Sequence, residues 1–296
     1  MTRTLLTTLF VGSLVATSTD TSAQTIAKDS YTGYTAGGLS GATSPDPIGF
    51  SGAWTSSSAN LQVESGGILD GDPTNGQGKF IAAPGNFSNF SRIARHDLAP
   101  IAADPVNNTF YMSHLVNAGT SVGPNNDYAL VGFGDFTAQD TIEGTANFLG
   151  GAFTGFVGNG TGGVDLVIRS RTGAAAGVIS DEVLVTDAEN TTYQVVMALE
   201  YNNPGDEVRY WVNPTDFKNG EAGLTASSSI NGSIAGFQLG GLASMNDLTV
   251  AVYGFDRSFF WDESILAGSV MGLIPEPTSA VLAAVSLLGL AARRVR

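Results

Sequence analysis

Carboxylates are the side chains of this sequence best equipped for chemistry, and their spacing decides which chemistry is open to them. Cleaving a glycosidic bond takes two of them flanking it, ~5–5.5 Å apart for retention of configuration. On a strand that means positions i and i+2 or i+4, since successive side chains alternate faces. No Glu-x-Asp-x-Glu string occurs. Asp181-Glu182 and Asp262-Glu263 are adjacent pairs, so their members point to opposite faces of a strand. Asp187 and Glu189 have the i, i+2 spacing, but they sit in a polar stretch before Asn190-Thr191-Thr192 that reads as a solvated loop. The two histidines, His96 and His114, lie in neither HExxH nor HxH spacing, and no GxSxG elbow occurs. Both histidines therefore read as structural or surface residues, and no catalytic residue and no enzyme activity are expected. Gly158-Asn159-Gly160-Thr161-Gly162-Gly163 leads into a strand pattern instead of opening a helix. It is a flexible connection and not a dinucleotide loop.

Binding chemistry has better candidates. Tyr210, Trp211, Tyr128 and Trp261 carry rings that can stack on a ligand while their polar edges hydrogen-bond. Core packing competes for each of them. Tyr210 and Trp211 are neighbours on a strand pattern, so they face opposite ways and only one is expected in the core. Asp70, Asp72 and Asn75 cluster oxygens in a turn-rich stretch, and Asp256, Asp262 and Glu263 offer more near the end. Hard oxygens of this kind suit Ca2+, which takes 6–8 of them, although the downstream Glu of an EF-hand is missing and ordinary Asx turns would use the same residues.

The elements that must position these groups are strands. Gly makes up 38 of the 296 residues, hydrophobic residues 43%, and Asn, Asp, Ser and Pro recur between β-branched and aromatic runs. The clearest hairpin spans 192–213: Tyr193, Val195, Met197 and Leu199 alternate with Gln194, Val196, Ala198 and Glu200, and Asn202 to Asp206 supply a turn before Val208, Tyr210 and Val212. Further strands are predicted at 109–116, 128–133, 164–170, 182–186, 237–239, 248–253 and 264–267. So many strands over about 250 residues predict one antiparallel two-sheet sandwich or jelly roll, all-β, at 24–274. The absence of Cys excludes a disulfide scaffold, an iron–sulfur cluster and a thiol nucleophile. A net charge of −14 argues against nucleic acid as a partner.

The two ends read as addresses. Arg3 precedes the apolar run Leu5 to Ala16, and Thr21-Ser22-Ala23 offers a small-residue cleavage site, so residues 1–23 form a secretory signal for a signal peptidase. At the other end, Pro275-Glu276-Pro277 precedes the uncharged run Thr278 to Ala292 and then Arg293-Arg294-Val295-Arg296. Fifteen residues of helix span roughly 22 Å, short of the ~30 Å hydrocarbon core, so the run is a marginal anchor with its basic end on the cytoplasmic side.

This order of motif, short hydrophobic helix and basic tail over 275–296 closely resembles the PEP-CTERM sorting signal of exported bacterial proteins. The resemblance implies transient inner-membrane insertion through the C-terminal transmembrane helix and processing by an exosortase-type enzyme. Retention at the cell surface or in the extracellular matrix would follow, in bacteria that make extracellular polysaccharide. Within 49–272 several segments resemble concanavalin A-like lectin/glucanase (laminin-G-like) domains: Gly49-Phe50-Ser51-Gly52-Ala53-Trp54 as an opening, Tyr111 to Val116 as a central strand, Tyr210-Trp211-Val212-Asn213-Pro214 as a strand end, and Trp261 to Gly268 as a closing strand. In the last, Ser264 and Leu266 stand where Ile and Arg are usual. That resemblance implies a concanavalin A-like jelly roll, a structural Ca2+ and carbohydrate binding. The expected role is structural or adhesive and non-enzymatic; a lectin-like module and a glycan hydrolase or lyase are the alternatives.

Overall fold

The computed structural model describes residues 25–31, 33–43, 48–65, 76–81, 92–99, 109–136, 148–172, 178–201, 206–237, 239 and 246–274. The two terminal signals, 1–23 and 275–296, and the oxygen cluster Asp70, Asp72 and Asn75 lie outside them.

Two long strands organise the molecule. β7 (Thr109–Phe136) and β14 (Asp247–Ala267) pair antiparallel along their whole length, from Asp247↔Gly134 to Ala267↔Tyr111. The register slips midway: between Phe255↔Asn126 and Arg257↔Ser121, β7 advances five residues while β14 advances two. Excess residues on one strand force a bend. Each long strand therefore belongs to two sheets. The first sheet adds β8 (Phe148–Gly158), β9 (Val164–Thr172) and β10 (Val178–Val185) beside β7, with β6 (Arg92–Asp97) and β3 (Thr55–Ser56) beside β14. The second adds β11 (Thr192–Glu200), β12 (Asp206–Val212) and β13 (Ile230–Phe237) beside β7. Its other side, beside β14, holds β5 (Gly76–Phe80), β4 (Leu61–Ser65), β2 (Gly37–Gly38) and β1 (Thr25–Asp29).

The bend stacks the two sheets face to face. His114 and Phe133, from the two halves of β7, lie with ring centroids 5.5 Å apart, and Phe156 of the first sheet meets Phe259 and Tyr193 of the second at 6.1 and 6.5 Å. The interior holds Met112, Val116, Val131, Val195, Met197, Leu199, Val250 and Leu266, all fully buried. This is an antiparallel two-sheet jelly-roll sandwich, as the strand pattern predicted.

The predicted hairpin is β11–β12, in register from Val195↔Val212 to Glu200↔Glu207. Four predicted strands are halves of two: 109–116 and 128–133 are both β7, and 248–253 and 264–267 are both β14. The strand expected at 237–239 lies upstream, as β13. The described residues also include one helix, α1 (Gly220–Ser227), and a 3₁₀ turn (Val270–Leu273). Together they cover part of the second sheet's outer face, where Val196, Ala198, Trp211, Leu224, Ile265, Ala267, Val270 and Leu273 form one buried cluster. Among the described residues no helix is long and apolar enough to cross a membrane.

Candidate functional site

No described helix lies on the first sheet's outer face, yet its centre is buried, with Leu130, Phe153, Val167, Thr249 and Ala251 all enclosed, so only its margins are accessible; the register fixes which residues stand there. One row across four strands reads Tyr253, Tyr128, Val157, Asp165. The next reads Ile93, Ala251, Leu130, Gly155, Val167, Val183. The third reads Arg95, Thr249, Gly132, Phe153, Arg169, Asp181. Side chains directly opposite in a row lie side by side on the same face.

The β8–β10 side of this face carries the chemistry. Tyr128 and Tyr253 stack with centroids 5.7 Å apart and planes inclined 23°. The Arg169 guanidinium lies over the Tyr128 ring at 4.7 Å. It reaches there across the middle row, where Gly155 has no side chain to block it. A Cβ at Gly155 would come within 2.1 Å of the Ala129 carbonyl oxygen, and its φ of +153° is one that L side chains rarely adopt. Arg169 Nε and one terminal nitrogen donate to the two Asp181 oxygens at 2.6 and 2.8 Å, a bidentate fork that fixes the plane of the guanidinium. Tyr128 and Arg169 are thus interior layers, 2% and 8% exposed, beneath a half-buried Tyr253 and beside Val183, which is 48% exposed.

The carboxylates here differ in duty. Asp181 is held by Arg169. Asp165 Oδ1 accepts the Asp187 backbone N–H at 3.1 Å. Asp127, exposed beside Tyr128, has its pKa raised by partial burial, with the Arg169 charge opposing. A half-exposed aromatic ring at the margin of a sheet can stack on a sugar ring.

The ring residues singled out from the sequence lie elsewhere than the surface. Trp261 is fully buried; its Nε1 donates to Tyr31 Oη at 2.6 Å, and its indole occupies the space a Cβ at Gly78 would need. Tyr210 is 8% exposed and lies against Gly232, where a Cβ would come 2.6 Å from its hydroxyl. Trp211 is 3% exposed beneath α1 and donates to Thr225 Oγ1 at 2.9 Å. Tyr210 and Trp211 do face opposite ways, but both faces of their strand are covered, so the expectation that only one is core is corrected. With Tyr128 sandwiched, none of the four offers a free ring face. Tyr253, half-buried at the end of the stack, is the more accessible ring, and its alternation within 248–253 was the signal available for it.

The histidines are interior. His96 Nε2 lies 2.7 Å from the Gly52 carbonyl oxygen and Nδ1 lies 3.2 Å from the Asp29 carboxylate. Asp29 also accepts from the Tyr31 backbone N–H, Tyr34 Oη and Trp54 Nε1 at 3.1, 2.8 and 3.1 Å, and Phe50 stacks on the imidazole at 4.0 Å. With Nε2 committed to a carbonyl, this His–Asp pair is a tie between β1, β6 and the 50–54 segment. Residues 33–38 and 40–43 line an open hollow of about 580 Å³, and none of them is charged. His114, fully enclosed, contacts Ser264 Oγ through Nδ1 at 3.0 Å, and burial pushes its pKa down to about 3.

The turn Gly158–Gly163 is pinned where a flexible connection was expected. Asn159 Oδ1 accepts from the Thr161 and Gly163 backbones at 3.0 Å each, and buried Arg257 donates to the Gly162 carbonyl and, at 2.8 Å, to Glu189. Glu189, expected in a solvated loop, has its pKa lowered, burial being outweighed by hydrogen bonds from Arg257 and the Val164 backbone. Among the described residues no three His, Asp or Glu side chains assemble to hold a metal. Asp256 accepts from Arg257, Asp262 from the Glu263 backbone, and Glu263 pairs with Lys28 at 3.5 Å, so hydrogen bonds and an ion pair engage the further oxygens that the sequence offered beside Asp70, Asp72 and Asn75.

No family model matches the chain, and no curated protein matches it. Similar solved structures include the carbohydrate esterase of Shiga toxin-encoding bacteriophage phi24B, with 12% identity, a TM-score of 0.42, and coverage of 72% of this chain and 89% of that one. An endo-β-1,4-glucuronan lyase from the fungus Trichoderma reesei has 9% identity, a TM-score of 0.41 and coverage of 70% and 86%. An endo-1,3-β-glucanase from Streptomyces sioyaensis has 9% identity, a TM-score of 0.41 and coverage of 82% and 95%.

Proposed function

We propose that this chain is an exported, non-enzymatic surface or matrix protein that contacts polysaccharide through the first sheet's outer face. The observation that carries the proposal is the layered corner in which Asp181 locks Arg169, Arg169 covers Tyr128, and Tyr128 backs the half-exposed Tyr253. That corner is pre-organised, so a sugar stacking on Tyr253 orders little. Its acids have structural partners or stand alone, which favours contact over bond cleavage. Export rests on the sequence of the two ends: the apolar run after Arg3, and Pro275-Glu276-Pro277 with the tail Arg293, Arg294 and Arg296. Signal peptidase and an exosortase-type enzyme are the processing partners this reading needs.

Two experiments test it. Retention on immobilised extracellular polysaccharide should weaken about 2–10-fold in Tyr253→Ala, the loss expected of one stacking contact. Retention equal to wild type would remove this face from the proposal. Deleting 275–296 should move the protein from the cell-surface fraction to the medium or the membrane, and unchanged fractionation would remove the sorting proposal.

A further inference from the structure

The strand edges of this sandwich are protected unequally. An open edge invites another chain to pair unless it is short, charged, bulged or covered. β2 and β3 are two residues each. β1 carries Lys28 and Asp29 and bridges to Ile48. β10 carries Asp181 and Glu182 and has a bulge between Val183 and Val185. β13 reads Ile-Asn-Gly-Ser-Ile-Ala-Gly-Phe, with neither charge nor proline, and among the described residues it pairs only with β12. Its irregularity is confined to the end, where Gly236 has a φ of +86° and the register shifts between Ala235 and Phe237. Ile230 to Ala235 therefore form an uncharged edge of regular register, about 20 Å long, that no other described strand covers. The strand is open to solvent: Asn231, Ser233 and Ala235 are exposed on one face, and Ile230, Gly232 and Ile234 are half-buried on the other.

We infer that β13 pairs antiparallel with β13 of a second copy of this chain, about a twofold axis at Ser233. Antiparallel pairing of identical strands is self-complementary, as a twofold interface requires. It sets Ser233 opposite its own symmetry mate and Asn231 opposite Ala235. Ile234, which already packs on the core, then lies opposite Gly232 of the second copy, with that copy's Ile230 and Ile234 on its diagonals. Charge selects this edge for a second copy. Each chain carries −14, so two copies repel at charged surfaces, and β13 brings no charge of its own to the contact. The paired molecules share one continuous second sheet, and the contact does not involve Tyr253 at the margin of the first.

The test uses the protein purified from cells expressing the full chain. Its solution mass should be that of two chains, falling to one in Ser233→Lys and in Ala235→Lys, with circular dichroism unchanged in both. The chain has no Cys, so Ser233→Cys can cross-link only to another copy. Residues facing each other across a twofold have Cα atoms ~4.5–5.5 Å apart, within disulfide reach. Ser233→Cys should give a covalent dimer on mild oxidation, and Thr191→Cys, on an exposed turn, should not. A wild-type mass of one chain overturns the inference. So does a larger mass that both lysine variants leave unchanged, or equal cross-linking at Ser233 and Thr191.

Discussion

His114 shows what one enclosed polar side chain costs. It packs between the two halves of β7, Nε2 has no hydrogen-bond partner, and burial holds its pKa near 3 instead of 6.5. Below pH 6.5 the unfolded chain takes up a proton that the folded chain refuses. Stability from this group is therefore complete above that pH and is lost as pH falls toward 3, by up to about 1.4 kcal/mol per pH unit. Glu189 and Asp216, both lowered, add acid losses only below the usual carboxylate range. Between pH 7 and pH 5 the wild type should thus lose about 2 kcal/mol, read as a shift in urea midpoint, and His114→Leu should lose much less. The same slope in both proteins would mean that another group sets the acid response. Asp29 is the opposite case, a buried carboxylate with donors from Tyr31, Tyr34, Trp54 and His96. Asp29→Ala leaves those donors behind, and about 3–5 kcal/mol of stability should go with it. A loss under about 1 kcal/mol would show that solvent or a neighbour replaces the carboxylate. Neither role was legible in the sequence, because His96 meets Asp29 across 67 residues and His114 meets Ser264 across 150.

At the scale of elements, Trp211 separates what alternation can show from what it cannot. Alternation over 192–212 identified β11 and β12 and placed Tyr210 and Trp211 on opposite faces, and the register agrees. It could not show that a helix lies over the outer face. α1 reads Gly-Glu-Ala-Gly-Leu-Thr-Ala-Ser, with two glycines and an N-cap Asn219 that makes no side-chain capping bond, so local propensity hardly favours it. It is held by packing of Leu224 with Trp211, by the Trp211–Thr225 hydrogen bond, and by Glu221, which takes two hydrogen bonds from Arg209 and one from Tyr111. Trp211→Ala should therefore cost about 3–5 kcal/mol and expose residues 214–229 to limited proteolysis before the rest of the chain. A protease pattern identical to wild type would mean that Glu221 and the 3₁₀ turn hold the helix alone. The same logic explains how much of the candidate site was readable. Tyr128 stood out as an aromatic on a strand, but Arg169 and Asp181 gain meaning only when register brings β9 and β10 alongside, a relation between segments that no local pattern contains.

The molecule as a whole depends on the two strands that both sheets share. The sequence divides each of them, since Gly123-Pro124 in β7 and Gly254 in β14 punctuate runs that the fold carries through a bend. At that bend Arg257, 2% exposed, donates to Glu189, to Asp256 and to the Gly162 carbonyl. It thereby ties β14 to the β8–β9 turn and to the β10–β11 connection. Neither sheet keeps its central pair if the other lets go of β7 and β14, so unfolding should be a single transition, with secondary and tertiary signals coinciding. Arg257→Met fills similar space but leaves the Asp256 and Glu189 carboxylates without their guanidinium, and removing one partner from a buried ionic set costs about 3–5 kcal/mol. The variant should shift that one transition to lower denaturant without splitting it. If instead its secondary and tertiary signals separate, the two sheets are independent folding units, and Arg257 is the clasp between them.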